Sequence, residues 1–347
     1  MKDKRILLCR TGGIGDVLHT LPLVKYLKKK YPESSIEYLT SPVVAELLES
    51  HCPFINRVWK FNKKNKKQIC RDILSELRKI DYFFNLHSSL SFWFFNLFFI
   101  KAKNYFQYKK NNSVHAVINF AQTYAPLISA FELDSKTLFE TDCSNLLNKY
   151  NLQENKYICM VPGVGKSRIH RAWPFENWLS LTKKFLFVEK NIKIVFLGGE
   201  DEKKIFDRWL ALSREIGKPE DDTSISGFKD RAVNLIGELK LSDTAKIISK
   251  SAKVISCDTG LLHLASALSK KVVGLYGPTL PKRTGPFTSD YQVLVAKDCK
   301  CISGLWDLKK CKMTKLSKGF CMDSLSVDSV LSNITSEMAN RQIETVV

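Results

Sequence analysis

The sequence predicts an α/β protein of two doubly wound domains, each with a parallel sheet between layers of helices. The 347 residues exceed the usual size of one domain. Short apolar runs alternate with longer helical patterns, which is typical of parallel sheets. This alternation restarts near Tyr150. We therefore assign residues 1–152 and 153–325 to two domains and residues 326–347 to a terminal helix, which we expect to pack back on the first domain.

The first half of the chain begins with the buried strand "RILLCR" and the amphipathic helix "LPLVKYLKKKYP". "SIEYLTS" is a strand, "VVAELLES" a helix, and "RVWKF" and "DYFFNLH" are further strands. The longest apolar run, "LSFWFFNLFFI" (Leu90 to Ile100), has about half the length needed to span a bilayer. We favour a helix buried in the first domain for this run, with docking on a membrane surface as the alternative.

The second half repeats the pattern with the strands "YICMVPG", "IKIVFLGG", "AVNLIG", "KVISCD" and "KVVGLYGP". The helical stretches between them include "FENWLSLTKKFLFVEK", "LSDTAKIISKS" and "TGLLHLASALS". Ligands of such sheets bind at the carboxyl ends of the strands. The turns that follow the strands are therefore the places where functional residues are expected.

The composition is strongly basic, with 54 Lys and Arg against 35 Asp and Glu and a formal net charge of +19. This charge favours binding to polyanions such as nucleic acid, an anionic membrane or a phosphorylated substrate, although a solvated lysine-rich surface explains it equally well. The start "MKDKRILLCRTGG" lacks the pattern of a signal peptide. We expect a soluble cytoplasmic protein that touches a membrane surface at most peripherally.

The turn after the first strand, "RTGGIGDVLHTLP", contains Gly12, Gly13 and Gly15 and then Asp16. The glycines allow a tight turn and close approach of a ligand to the backbone. The dinucleotide fingerprint fails because Leu18 stands where its third glycine would be. Asp16 is either a functional carboxylate at the sheet edge or a helix N-cap.

Two turns of the second half carry charged residues. "VPGVGKSRIHRAWPFENW" places Lys166, Ser167 and Arg171 before a helix, where cations and backbone amides suit an anionic group. A merely basic loop is the alternative. "VFLGGEDE" places Glu200 after a strand, where a carboxylate accepts hydrogen bonds from ribose hydroxyls or caps a helix.

The turn "SCDTGLLHLASAL" joins the strand that ends before Asp258 to a helix that begins near Gly260. The first-turn amides and the dipole of this helix favour a phosphate, and glycine removes the side chain that would block it. Thr259 adds a hydroxyl, and His263 lies one turn later on the same helix face. We interpret the turn as a diphosphate-binding site in which Asp258 orders the turn or holds a sugar hydroxyl.

Four of the ten cysteines cluster towards the C-terminus, at Cys299, Cys301, Cys311 and Cys321. Four thiolates suffice for a structural zinc ion, but the spacing differs from paired C-x-x-C motifs. A structural zinc and a disulfide therefore both remain alternatives to free thiols.

In this order, the motifs "GGIGDVLHTLP", "HRAWPFENW", "FLGGEDE" and "DTGLLHLASAL…VVGLYGPTLP…TGP" resemble the lipopolysaccharide heptosyltransferases of glycosyltransferase family 9. These are inverting enzymes with two Rossmann-like domains that face a cleft, the B-type glycosyltransferase (GT-B) architecture. The resemblance implies that Asp16 is the catalytic base in an acceptor-binding first domain. It implies a second domain that binds ADP-heptose through Lys166, Ser167, Arg171, Glu200, Asp258, Thr259, Gly260, Leu261 and His263.

The resemblance also implies that no metal or other cofactor is required, because fixed cations and amides stabilise the leaving diphosphate. The implied partners are a nucleotide-sugar donor and an anionic lipopolysaccharide-core acceptor at the cytoplasmic face of the inner membrane. Three alternatives stay open: a related enzyme that uses another nucleotide-sugar or acceptor, a non-catalytic glycan-binding protein, and a nucleic-acid binder. We do not expect the last, because the chain lacks an aromatic-basic motif of known type.

Overall fold

The structure, a computed structural model, describes residues 4–62, 74–77, 79–89, 91–204, 206–207, 231–297 and 321–344. These residues form two compact units, each built on its own parallel sheet. The first unit contains the described residues up to Asp142 together with Ser266–Ser269 and Phe287–Ser289, and the second contains the remainder. The prediction of two parallel α/β sheets is confirmed.

The sheet of the first unit has five parallel strands in the order β3-β2-β1-β4-β5. Its strands are β1 (Arg5–Cys9), β2 (Ser35–Thr40), β3 (Arg57–Lys60), β4 (Tyr82–Asn85) and β5 (Asn104–Gln107). The chain winds outward from β1 in one direction and from β4 in the other. Loops after β1 and β4 therefore diverge, and such a switch point is where open parallel sheets bind ligands.

Helices pack around this sheet with their apolar faces inward. The helix Leu21–Lys30 buries Leu23, Val24 and Leu27 and ends in three lysines, which interact favourably with the negative end of the helix dipole. The α-helices of the unit are Ile14–Leu18, Leu21–Lys30, Pro42–His51, Leu74–Leu77, Ser91–Phe95 and Ala116–Ala121, with a π-helix at Asn96–Ile100 and a 3-10 helix at Ala130–Glu132.

The apolar run near residue 90 forms a helix whose two faces differ. Phe92 and Ile100 are buried in the core of the first unit, whereas five other large apolar side chains of the run are at least 39% exposed. The expectation of a buried helix is therefore correct for one face only. Within the described part of the chain, no helix combines the length and the apolar character needed to cross a membrane.

The sheet of the second unit has six parallel strands in the order β11-β10-β9-β6-β7-β8. Its switch point lies between the neighbouring strands β6 and β9. The strands are β6 (Tyr157–Val161), β7 (Lys193–Phe196), β8 (Ala232–Asn234), β9 (Lys253–Cys257), β10 (Val272–Tyr276) and β11 (Tyr291–Val295). Every residue of β6, β9 and β10 is buried, as expected for central strands covered on both faces.

The helices of the second unit include Phe175–Val188, which buries Trp178, Leu181 and Phe185 against the sheet. The α-helices are Ser144–Lys149, Phe175–Val188, Leu241–Lys250, Gly260–Ala267, Pro281–Thr284 and Val327–Glu344, with 3-10 helices at Lys166–Arg171 and Cys321–Ser324.

The described side chains of the C-terminal helix contribute to the core of the second unit, and packing of this helix on the first domain stays a prediction. Val330 and Ile334 are fully buried in the core of the second unit. The buried ammonium of Lys253 donates a hydrogen bond of 2.8 Å to the carbonyl of Ile334. Just before the helix, the carbonyl of Leu325 accepts a hydrogen bond of 2.9 Å from Trp173 Nε1. The helix packs there because its apolar residues complete this core.

Candidate functional site

The loop after β1 carries an acid on a short helix at the switch point of the first sheet. Gly13 adopts an extended conformation and precedes the helix Ile14–Leu18, whose first turn contains Asp16. A Cβ atom on Gly12 would lie 2.9 Å from Asp16 Oδ2 and 3.1 Å from Arg10 Nε. The loop therefore brings bare backbone against the acid, and a side chain at Gly12 would displace it. Gly15 lies within the same short helix.

Asp16 is half-buried and is held by one cation. Its Oδ2 lies 3.1 Å from Arg10 Nη2, and the Asp16 side chain keeps 43% of its surface exposed. Arg10 is itself fixed, because its Nη1 donates to the carbonyl of Leu86 at 2.7 Å and its guanidinium lies 5.3 Å from the ring centroid of Phe120. The result is an accessible carboxylate with a defined orientation. The sequence analysis missed Arg10, although it directly follows the first strand.

His87, also missed, links the loops after β1 and β4. The backbone amide of Thr11 donates to His87 Nε2 at 3.0 Å, so this ring nitrogen is unprotonated. The ring stacks on Phe92 with 4.8 Å between centroids. These contacts connect two loops 76 residues apart in the chain and fix the glycine turn beside Asp16.

The corner after β9 holds the second acid, Asp258, which is almost fully buried. Arg171 Nη1 donates to Asp258 Oδ2 at 2.9 Å, and His263 Nε2 lies 3.4 Å from Asp258 Oδ1. Burial alone would raise the pKa of Asp258, but the hydrogen bond with His263 and the Arg171 guanidinium outweigh it and hold the pKa below its usual value. Asp258 is therefore a buried carboxylate that connects the loop after β6 to the helix after β9.

The helix Gly260–Ala267 begins directly beside this carboxylate. The hydroxyl of Thr259 lies 3.1 Å from Ser256 Oγ and accepts a hydrogen bond of 3.4 Å from the amide of Leu262. Thr259 therefore caps the helix, which the sequence analysis did not foresee. The amides of Gly260 and Leu261 belong to the first turn, where backbone N–H groups point out of the helix and the dipole favours an anion.

A cavity of about 340 Å³ opens within the second unit, next to the loop after β6. Its walls are mainly apolar and aromatic, which suits a flat heterocyclic ring. Its lining residues are Pro162, Gly163, Val164, Gly165, Ile169, Ala172, Trp173, Pro174, Phe175, Asp201, Glu202, Phe206, Ile236 and Asp323. Arg171 immediately precedes Ala172 and Trp173 in the chain, so the segment that lines the cavity also carries the guanidinium that binds Asp258.

Glu202 fixes the wall of this cavity and was also missed. Its Oε1 accepts a hydrogen bond of 2.8 Å from the amide of Gly165, and its Oε2 accepts one of 2.8 Å from the amide of Gly199. A Cβ atom on Gly163 would lie only 2.1 Å from Glu202 Cδ. Glu200, the predicted ribose ligand, is exposed on the same loop.

The basic loop after β6 forms the 3-10 helix Lys166–Arg171, which places the backbone of Lys166 and Ser167 at its start. Within it His170 is buried, and burial together with the neighbouring Arg171 and Arg168 lowers its pKa. The loop therefore concentrates positive charge beside the Asp258 corner, with Arg171 as the group that reaches the acid.

Of the four clustered cysteines, Cys299, Cys301 and Cys311 lie outside the described residues. Cys321 is buried in the core of the second unit. Within the described ranges, no three His, Cys, Asp or Glu side chains are grouped so that they could hold a metal ion.

Comparison with known proteins agrees with the resemblance inferred from the motifs. Residues 99–313 match the family model "Glycosyltransferase family 9 (heptosyltransferase)". The chain is 22% identical over 333 residues to lipopolysaccharide heptosyltransferase 1 of Pseudomonas aeruginosa, an alignment that covers 86% of this chain and 85% of that protein. Over 143 residues it is 32% identical to lipooligosaccharide heptosyltransferase 2 of Haemophilus influenzae, covering 41% of this chain and 37% of that protein.

Solved structures show the same fold at low sequence identity. The structure of Escherichia coli ADP-heptose lipopolysaccharide heptosyltransferase II superposes with a TM-score of 0.73 at 18% identity and covers 98% of this chain and 99% of that one. E. coli heptosyltransferase WaaC with ADP superposes with a TM-score of 0.63 at 19% identity, covering 96% of this chain and 99% of that one. The family model spans well over half of the chain, so this protein belongs to glycosyltransferase family 9, the heptosyltransferases, and is a glycosyltransferase.

Proposed function

We propose that this protein transfers a heptose from ADP-heptose to the inner core of lipopolysaccharide, with inversion at the anomeric carbon and without a metal ion. The donor is suggested by related structures named as complexes with ADP and with ADP-2-deoxy-2-fluoro heptose. The acceptor is suggested by relatives named as lipopolysaccharide heptosyltransferases. In this proposal residues 1–152 bind the acceptor and residues 153–325 bind the donor.

The observation that carries the proposal is the Asp258 corner at the switch point of the second sheet, together with an apolar cavity lined mainly by the loops after β6, β7 and β8. The cavity has the size and apolar walls for the adenine ring. The first-turn amides of Gly260 and Leu261 then bind the diphosphate, and Thr259 holds these amides in place by capping the helix.

Three further groups complete the proposed donor site. Lys166 and Ser167 at the start of the basic loop contribute charge and a hydroxyl to the diphosphate. Glu200, exposed after β7, accepts hydrogen bonds from the ribose. Arg171 neutralises the diphosphate while Asp258 holds its guanidinium, and His263 keeps Asp258 in position.

Asp16 is the proposed catalytic base. Its carboxylate accepts the proton of an acceptor hydroxyl while that oxygen forms a bond to the anomeric carbon of the heptose. The bond from the anomeric carbon to the diphosphate oxygen breaks, and ADP leaves with the electron pair. Arg171 and the Gly260–Ala267 helix dipole stabilise the negative charge of the leaving group. Arg10 orients Asp16 for this step.

The alternatives predict different ligands, so binding and turnover separate them. Calorimetry with ADP, UDP and single-stranded RNA should show binding of ADP, about tenfold or more weaker binding of UDP, and none of RNA at physiological salt. The purified protein should then convert ADP-heptose and a defined core acceptor to product in the presence of a chelator. Turnover of a UDP-sugar instead would assign another donor. ADP binding without transfer to any core acceptor would favour a non-catalytic glycan-binding protein.

A further inference from the structure

The segment Ser91–Ile100 is held firmly in the first unit by its inner face. Phe92 and Ile100 are buried in the core. The α-helical part continues into a π-helical turn, after which Lys101 adopts a left-handed conformation with φ of 53°. The carbonyl of Asn96 accepts a hydrogen bond of 2.7 Å from the amide of Lys101, and its side-chain oxygen accepts one of 3.1 Å from the amide of Ala102. The position of the outer face is therefore fixed.

The outer face exposes five large apolar side chains, here called the aromatic face: Trp93, Phe94, Leu97, Phe98 and Phe99, exposed by 39%, 50%, 49%, 62% and 41%. Rings of the segment also contact each other, as in the pairs Trp93 with Phe94, Phe92 with Phe95, and Phe95 with Phe99. Residues 91–100 contain no charged side chain. Polar residues at these five positions would leave the buried face unchanged, so folding of the unit does not explain the cluster, and such clusters mark binding surfaces.

The charge around the aromatic face indicates its partner. Exposed lysines follow it closely in the chain, at Lys101, Lys103, Lys109 and Lys110. A second copy of the chain docked through the same face would bring its own lysines next to these, and each chain has a net charge of +19, which disfavours self-association. An anionic lipid surface instead attracts the lysines, and Trp and Phe side chains insert at the boundary between headgroups and acyl chains.

We propose that the aromatic face and the lysines that follow it dock the protein on an anionic phospholipid bilayer. The segment lies in the interface and does not cross it, since ten residues are about half the length of a spanning helix. The proposal deepens the proposed function, because an inner-core acceptor at the inner face of the membrane is presented at such a surface. It is tested without donor or acceptor, so its failure would leave the transferase activity untouched.

The test is flotation of the full chain with vesicles of phosphatidylcholine alone or mixed with phosphatidylglycerol. The chain should bind the mixed vesicles and be released by high salt. The double variant F94S/F98S should bind about tenfold or more weakly, because each substitution removes roughly half the burial energy of a Phe side chain. The matched control is Phe187→Ser, since Phe187 is an equally accessible Phe of the second unit with 65% exposure. This control should float like the parent.

The proposal would be overturned if F94S/F98S bound the mixed vesicles as well as the parent. It would also be overturned if the Phe187→Ser control lost as much vesicle binding as F94S/F98S. A parent that elutes as a dimer and becomes monomeric in F94S/F98S would assign the face to self-association instead. The thermal unfolding midpoint of the double variant should match the parent because the substituted side chains are exposed. If it does not, the charge-reversal variant K101E/K109E is the second test. Its binding to mixed vesicles should weaken about thirtyfold or more, since each lysine near an anionic surface contributes about 1 kcal/mol.

Discussion

Two aspartates follow strands at the switch points of the two sheets, yet their surroundings are opposite. Asp16 is 43% exposed and pairs with Arg10, whereas Asp258 is 4% exposed and lies between Arg171 and His263. An exposed carboxylate can exchange a proton with a substrate at little cost in stability. A carboxylate buried against a guanidinium cannot lose its charge without leaving that cation uncompensated. The same residue type therefore has surroundings that suit the proposed proton transfer in one unit and rigid positioning in the other.

The largest effect is expected for Asp16→Asn, which keeps the shape of the side chain and removes its basicity. The turnover number for transfer should fall about 10²–10⁴-fold, while the dissociation constant for ADP stays unchanged. The matched control is Asp134→Asn, since Asp134 is 50% exposed in the same unit and pairs with Lys25 at 3.3 Å. Turnover should survive in this control. Near-normal transfer by Asp16→Asn would contradict the assignment of the base.

For the free energy of unfolding, in contrast to turnover, the larger loss is expected at Asp258 and the smaller one at Asp16. Asp258→Ala removes one partner from a buried ionic cluster and should lower the free energy of unfolding by about 3–5 kcal/mol. Asp16→Ala breaks a partly exposed pair and should cost less than about 1 kcal/mol. Urea unfolding of both variants measures the difference. Similar losses in the two variants would show that the difference in burial has no energetic consequence.

Low pH should abolish the contribution of Asp258 to the free energy of unfolding. Its pKa in the folded protein lies below its value in the unfolded chain, which is about 3.9. The stabilisation is therefore complete above that pH and is lost as the pH falls through the folded-state pKa. Unfolding curves of the parent and of Asp258→Ala should be well separated at pH 7, begin to approach each other below about pH 4, and converge only below the folded-state pKa.

A smaller effect, on ADP affinity and on stability, is expected for Gly163→Ala, with Gly13→Ala as its control. Gly163→Ala places a Cβ 2.1 Å from Glu202 Cδ and must displace this carboxylate from the two amides it binds. ADP affinity should fall about tenfold, and stability by about 1–3 kcal/mol. At Gly13 a Cβ meets no atom within 4 Å, so Gly13→Ala should leave both quantities unchanged. Equal effects on ADP binding would show that the Glu202 contact does not shape the cavity.

The central strands were predicted from the sequence, whereas only two of the four edge strands were. The buried runs of β1, β6, β9 and β10 read as continuous apolar segments because helices cover them on both faces. The edge strands β3 and β8 were predicted from "RVWKF" and "AVNLIG". The edge strands β5 and β11 were missed, and their side chains are mostly half-exposed.

Within the candidate site, the residues of the turns were selected from the sequence, but the side chains that hold these turns in place were not. Glycine and aspartate after a strand are local signals, which is why Asp16, Asp258 and Gly260 were selected. His87 and Glu202 bind backbone amides 76 and 37 residues away, and no local pattern encodes such contacts. Their roles depend on which strands are neighbours in the sheet, which is a property of the whole fold.

The hydrogen bond from Lys253 to the carbonyl of Ile334 has a consequence for biosynthesis. The strand that carries Lys253 emerges from the ribosome about 80 residues before its carbonyl partner, in a growing chain that folds from its N-terminal side first. Until that partner arrives, this hydrogen bond cannot form and the core of the second unit lacks Val330 and Ile334. The second unit should therefore reach its native packing only late in translation, and a chaperone would meet it in an unfinished form.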